Sequence, residues 1–153
     1  MHVIQGLLSL VARLMITAIF LSSAVMNKIP QFNAVAEVMA GKGVPQPKIL
    51  LAGAIAFLIL GSVSLILGFR ARWGAFLLLA FLGAATYYFH AFWKLPADTA
   101  ADVLRNEQIA FMKNLALMGT MLFFLANGAG PWSIDAARSA ARAGADESRD
   151  EDA

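Results

Sequence analysis

Apolar residues fall into four long runs separated by short polar breaks, at residues 7–25, 49–68, 73–89 and 109–126. Each is close to the ~20 residues that a helix needs to cross a bilayer. Between the first two runs, Phe32, Val35, Val38 and Met39 recur at helical spacing around Glu37. That stretch is too short to cross, so it predicts a short helix along the membrane interface. Gly41, Gly43, Pro45 and Pro47 then stop it. The connection Gly-Phe-Arg-Ala-Arg at 68–72 is short enough to force the second and third spans into an antiparallel hairpin. After the fourth run, Asn-Gly-Ala-Gly-Pro at 127–131 breaks the helix, and Ser133 can cap a short surface helix. The final residues, DESRDEDA, are charged and lack apolar anchors, which predicts disorder. The expected fold is an all-α integral membrane four-helix bundle over residues 1–132, followed by a surface segment over 133–153.

The polar positions inside these runs carry further information. Asn106, Lys113, Thr120 and Asn127 recur every seventh residue, giving one polar stripe along the last span. Such a stripe is costly against lipid, so it is expected to face other helices or a wet cavity. In the first span Ser9, Arg13 and Thr17 share a face that Ser23 and Asn27 roughly continue, which would answer it. Arg13 also bears on how the first run is read. A secretory signal has its positive charge before the apolar core, whereas here the first six residues hold no lysine or arginine and Arg13 lies inside the core. The run is expected to be a retained span. Gly61, Ser64 and Gly68 form a small-residue face on the second span, which predicts close helix packing.

Composition narrows the function classes. Of 153 residues, 59% are hydrophobic and only 14% are charged, which belongs in a bilayer. A net charge of +2 with dispersed basic residues argues against nucleic acid as a partner. The absence of cysteine removes disulfide relays, iron–sulfur ligation and thiolate metal sites from this chain. Two histidines, His2 and His90, argue against an internal haem or a zinc site, so no metal and no covalent cofactor are expected. Any redox chemistry would use a bound cofactor, such as a quinone, or a protein partner.

Four spans put both termini on one side and bring Lys28, His90, Glu107, Lys113 and Asn114 to the opposite face. These are the candidate ligand-binding residues, offering a carboxylate, an imidazole, an amide and two cations to a polar or anionic headgroup. Histidine is the side chain whose charge ordinarily changes near neutral pH. Tyr87, Tyr88, Phe92 and Trp93 would wall the site with rings. Plainer roles stand beside these: Lys28 and Lys113 can snorkel to the headgroups, and Glu107 can favour the start of its helix or pair with a lysine. On the termini side, Arg13 needs partners, and Asn127, Asp135 and the carbonyl ends of the second and fourth helices are candidates. Orientation is not decided by charge. Arg70, Arg72, Arg138 and Arg142 on the termini side nearly balance Lys28, Lys42, Lys48, Lys94 and Arg105 on the other.

Several of these pieces together resemble the DoxX family. They are the arginine in the first span with Asn27-Lys28, Lys-Gly-Val-Pro at 42–45, Gly-Phe-Arg-Ala-Arg at 68–72, FHAFW at 89–93, FMKNLALMG at 111–119 and GPWSID at 130–135. The resemblance implies a small multi-pass protein of the bacterial inner membrane with cytoplasmic termini. Its relatives include the DoxD-type subunit of a thiosulfate:quinone oxidoreductase and a membrane partner in a thiol-oxidation stress complex. Lacking cysteine, this chain cannot carry thiol chemistry itself. Two functions follow as expectations: a ligand-binding or accessory subunit of a membrane redox system holding a quinone between the first and fourth helices, or a non-enzymatic scaffold recruiting a protein partner through Arg70, Arg72 and the C-terminal segment. A transporter ranks lower, because no pair of interrupted helices is visible. Four helices can close a bundle around one site or build half of a dimer.

Overall fold

A computed structural model describes residues 2–151. It is all helical: α1 (His2–Ser22), α2 (Phe32–Gly41), α3 (Pro47–Leu67), α4 (Ala71–Phe89), α5 (Ala101–Asn127) and α6 (Ile134–Glu151). Four helices among the described residues are long and apolar enough to cross a membrane, with α1 extended to Lys28 in that count. The chain is an integral membrane four-helix bundle. Many large apolar side chains, including Met15, Leu60, Met112 and Phe123, are exposed, as expected where lipid is the solvent.

Three boundaries differ from those the hydropathy pattern suggests. The first span does not end near residue 25; it continues as a π-helical turn over Ser23–Lys28, a form common at functional sites. The last helix starts at Ala101, two turns before the apolar run. Hydropathy starts at Ile109 because the preceding turns carry Asp102, Arg105, Asn106 and Glu107, yet these residues are compatible with helix and Asp102 suits a first turn. The C-terminal helix is also longer than a short surface helix, since α6 reaches Glu151 and takes in most of the charged tail. Its alanine-rich composition favours helix. Asp152 and Ala153 lie outside the described residues.

Local chemistry explains the tight α3–α4 hairpin. Gly68 takes φ 60°, and the Phe69 amide donates back to the Ser64 carbonyl at 3.0 Å while that of Gly68 donates to Leu65. This is a Schellman closure of α3. Arg70, also left-handed at φ 48°, turns the chain into α4. At the other end Pro47 opens α3, a position where its missing amide hydrogen costs nothing.

Helix α3 is the hub, packed against α1, α2 and α4, while α5 packs on α4. Lipid tails are as apolar as leucine, so close van der Waals fit and polar contacts must hold these helices together. The two central helices fit closely where Gly61 meets Gly74: a Cβ on Gly61 would stand 2.9 Å from the Gly74 carbonyl oxygen, and one on Gly74 would stand 2.8 Å from that of Gly61. The main core of Phe20, Leu58, Leu65, Leu78, Leu82, Met121 and Phe124 surrounds this crossing. A second cluster, Ala36, Met39, Val44 and Leu51, joins α2 to α3.

Gly61→Leu or Gly74→Leu should lower the melting temperature in detergent by roughly 5–10 °C, since overpacking a fitted contact costs about 2 kcal/mol. Gly83→Leu, at a position with open space around it, should leave it nearly unchanged. Equal effects at all three positions would show that the glycine crossing is not what limits stability.

Candidate functional site

Polar side chains collect at both ends of the bundle. At the termini end Arg13 is fully buried, and it has no carboxylate partner among the described residues. Its Nε donates to the Ser9 carbonyl at 3.2 Å, one terminal nitrogen to Ile66 at 3.2 Å and the other to Trp132 at 2.6 Å. The carbonyl end of α3 therefore does contribute. Asn127 and Asp135 do not: the Asn127 amide donates to Phe123 in its own helix, and the Asp135 carboxylate accepts from the Arg70 and Ala71 amides at 2.9 and 3.0 Å. Asp135 is spent on the start of α4, where the exposed N–H groups and helix dipole favour an anion. Ser9 donates to Ala129, and Ser133 caps α6 by accepting from the Ala136 amide. The Arg72 guanidinium donates to Ala126, the last turn of α5. This layer ties α1, α3, α4, α5 and the segment before α6 together.

At the opposite end lies a half-open cavity of about 630 Å³ between α1, α2, α3, α4 and the middle of α5. Most of its wall is apolar, from residues such as Phe20, Val35, Leu51, Phe57 and Phe81. Lys28, His90, Lys113 and Asn114 all reach it. Four of the five residues singled out from the sequence are thus brought to one chamber. Glu107 is not on its wall; it lines a neighbouring vestibule of about 330 Å³ with Lys42, Lys94 and Tyr87. His90 joins the two spaces, because its Nδ1 lies 2.9 Å from Glu107 Oε2. The 3₁₀ turn Phe92–Lys94 is pinned beside them by edge-on packing of Phe92 and Trp93 against Phe111, and Lys94 sits 3.9 Å over the Tyr87 ring.

Each cavity side chain is set by its element. The π turn brings Ser23 and Lys28 together, and Lys28 Nζ donates to Ser23 Oγ at 2.6 Å while standing 5.3 Å from the Phe81 ring centroid. Asn114 is 7% exposed and its amide donates to the Thr86 hydroxyl at 3.1 Å. The Thr86 carbonyl in turn accepts from the His90 amide, where α4 ends. Thr86 and the π turn were not visible to sequence reasoning, which placed Ser23 on the polar face of the first span but not beside Lys28, since threonine is common in spans and a π turn has no composition signal. The i, i+5 spacing of Ser23 and Lys28 was the one available clue.

The polar stripe is phased differently from expectation. Asn106, Lys113 and Asn127 are exposed, whereas the inward line on α5 runs through Glu107, Asn114 and Met121. The two lines are one residue, about 100°, apart on the helix. Thr120 satisfies its hydroxyl on the Ala116 carbonyl, as Asn127 does on Phe123, so the stripe needs no other helix. Lys113, at its edge, still reaches the cavity.

The arrangement is that of a four-span membrane protein with a half-open, polar-ended cavity. The DoxX family model matches residues 8–91, and the chain belongs to the DoxX family. That match takes in Arg13, Lys28 and the 68–72 turn, and ends before α5. The inner membrane protein YphA of Escherichia coli (strain K12) is 26% identical over 131 residues, covering 86% of this chain and 90% of that protein. No solved structure matches. Among the described residues, no group of three or more potential ligands could hold a metal.

Arg13→Met should destabilise the bundle by about 3 kcal/mol, because it abandons buried carbonyls that a charged donor now satisfies. Asp135→Asn, which keeps one acceptor but loses the charge, should cost only about 1 kcal/mol. Unfolding in detergent compares the two; an Arg13 variant as stable as wild type would remove the guanidinium from its central place.

Proposed function

We propose that this protein is a quinone-binding accessory subunit of a membrane redox system in the bacterial inner membrane. The observation that carries the reading is the cavity: about 630 Å³, apolar along its walls, with Lys28, His90, Lys113 and Asn114 at one end. Ligand sites typically combine such a volume with a few convergent polar groups. A quinone ring fits that division. Its carbonyl oxygens accept hydrogen bonds from ammonium, amide and imidazole donors, and its tail can lie along the apolar wall into the bilayer. A small dianion such as thiosulfate would lose its water against the same wall with too few polar partners to replace it. With the termini in the cytoplasm, as the family resemblance implies, the polar end faces outward. The inner-membrane name of the YphA relative supports the compartment.

The scaffold reading has its own support in α6, whose outer face is exposed along residues 136–145. The same purification separates the two. The full chain is isolated in native-lipid nanodiscs, and retained small molecules and proteins are identified by mass spectrometry. Quinone should be retained by wild type and reduced roughly 5–10-fold in Lys113→Met and in Lys28→Met, as for one hydrogen bond lost from the headgroup. Stoichiometric proteins with no quinone, unaffected by either substitution, would favour the scaffold.

A further inference from the structure

His90 and Glu107 stand at a boundary. His90 lines the cavity, Glu107 lines the vestibule, and the two spaces share Tyr88 and Phe89 as a wall. The two side chains meet at 2.9 Å, each 30% exposed. One partner is therefore open to each space. Nδ1 is taken by Glu107, and Nε2 has no protein partner among the described residues. An imidazole bonded through one nitrogen to a carboxylate, with the other nitrogen free toward a ligand chamber, can accept a proton on one side and release one on the other.

We infer that His90 and Glu107 conduct protons between the membrane cavity and the aqueous vestibule, serving a ligand of the hydroquinone class whose hydroxyl must lose or gain a proton. The inference rests on the quinone-binding reading above. In the outward direction, the phenolic O–H bond breaks and its electron pair stays on the ligand oxygen. A new N–H bond forms at His90 Nε2. The proton on Nδ1 passes to Glu107 Oε2, and water in the vestibule takes it up. No electrons change hands in this step, and exchange with water, which returns a proton to Nδ1 and removes one from Nε2, restores the starting tautomer.

The surroundings suit the direction of transfer. Lys28 and Lys113 face the cavity, Lys42 and Lys94 face the vestibule, and Tyr87 and Tyr88 belong to α4 beside the histidine. The two cavity ammonium groups favour a phenolate over a phenol at the ligand end. The backbone that carries the ring is also held in place. The His90 amide bonds Thr86, whose hydroxyl holds Asn114, so the backbone at the end of α4 is tied to α5.

The test uses the full chain in nanodiscs and an alkyl-tailed nitrophenol, whose absorbance distinguishes phenol from phenolate. After a rapid upward jump in external pH, the rate at which bound probe ionises reports the exit of its proton. The amount bound is measured separately, so the rate is read per bound probe. Glu107→Gln and His90→Gln should each slow it roughly 10-fold or more. Formate, a diffusible proton carrier, should restore much of the rate in Glu107→Gln, which a merely structural role for the carboxylate would not permit. Glu107→Asp, keeping the carboxylate, should lie between the two. If bound probe ionises at the wild-type rate in both glutamine variants, the relay is overturned while binding stands. If wild type does not bind the probe at all, the binding reading fails and the relay goes with it.

Discussion

A buried guanidinium with no carboxylate partner among the described residues is the constraint on which the bundle depends. A charge inside a membrane helix must find compensation within the protein, and Arg13 finds it in carbonyl groups contributed by three separate stretches of chain. Each of these is held in turn. The Ile66 carbonyl is available because α3 closes at Gly68. The Trp132 carbonyl is presented by a residue at φ 55°, a conformation that costs a non-glycine residue about 1–2 kcal/mol and is held here by the bond to Arg13. Gly68 itself lies against both Arg13 and Ser133, leaving no room for a side chain. The helix ends of the termini side are therefore arranged around one side chain.

That arrangement leaves the other end free to be open. The termini side joins α1, α3, α4 and α5 through short polar bonds, and the Gly61–Gly74 crossing locks the two central helices. Beyond it the helices diverge around a chamber closed on one side by α2. Small residues permit the close approach and larger apolar ones line the space, so stability and cavity come from different segments of the same helices. The π turn fits this division. It lies in the half of the first span that faces the chamber, where it directs Lys28 and Ser23 together.

The chemistry is divided in the same way. Lysine, amide and imidazole donors stand at the head of an otherwise apolar space, which suits a ligand that is polar at one end. The carboxylate that would complete the cluster is placed behind the histidine, in a separate pocket. Two compartments joined by a hydrogen-bonded acid–base pair differ in kind from a single charged site. In the proposed role, the first binds a membrane-soluble molecule and still exchanges protons with water.

The amino-acid sequence by itself determined the class of this protein. Four apolar runs of membrane length, the short 68–72 hairpin and the topology that follows dictate an all-helical membrane bundle. They also place Lys28, His90, Lys113 and Asn114 at one end, because span length and loop length are local properties. The phase and partners of the polar residues were decided only by tertiary structure. A seven-residue repeat gives the direction of a stripe but not which neighbour it meets, and Glu107, Asn114 and Met121 share the same period one position later. Asn127 and Asp135 looked suited to Arg13, yet one could bond its own helix and the other could cap α4. Those choices depend on distances between helices. Carbonyl acceptors are present at every residue, so no composition signal marks the ones that a buried arginine will use.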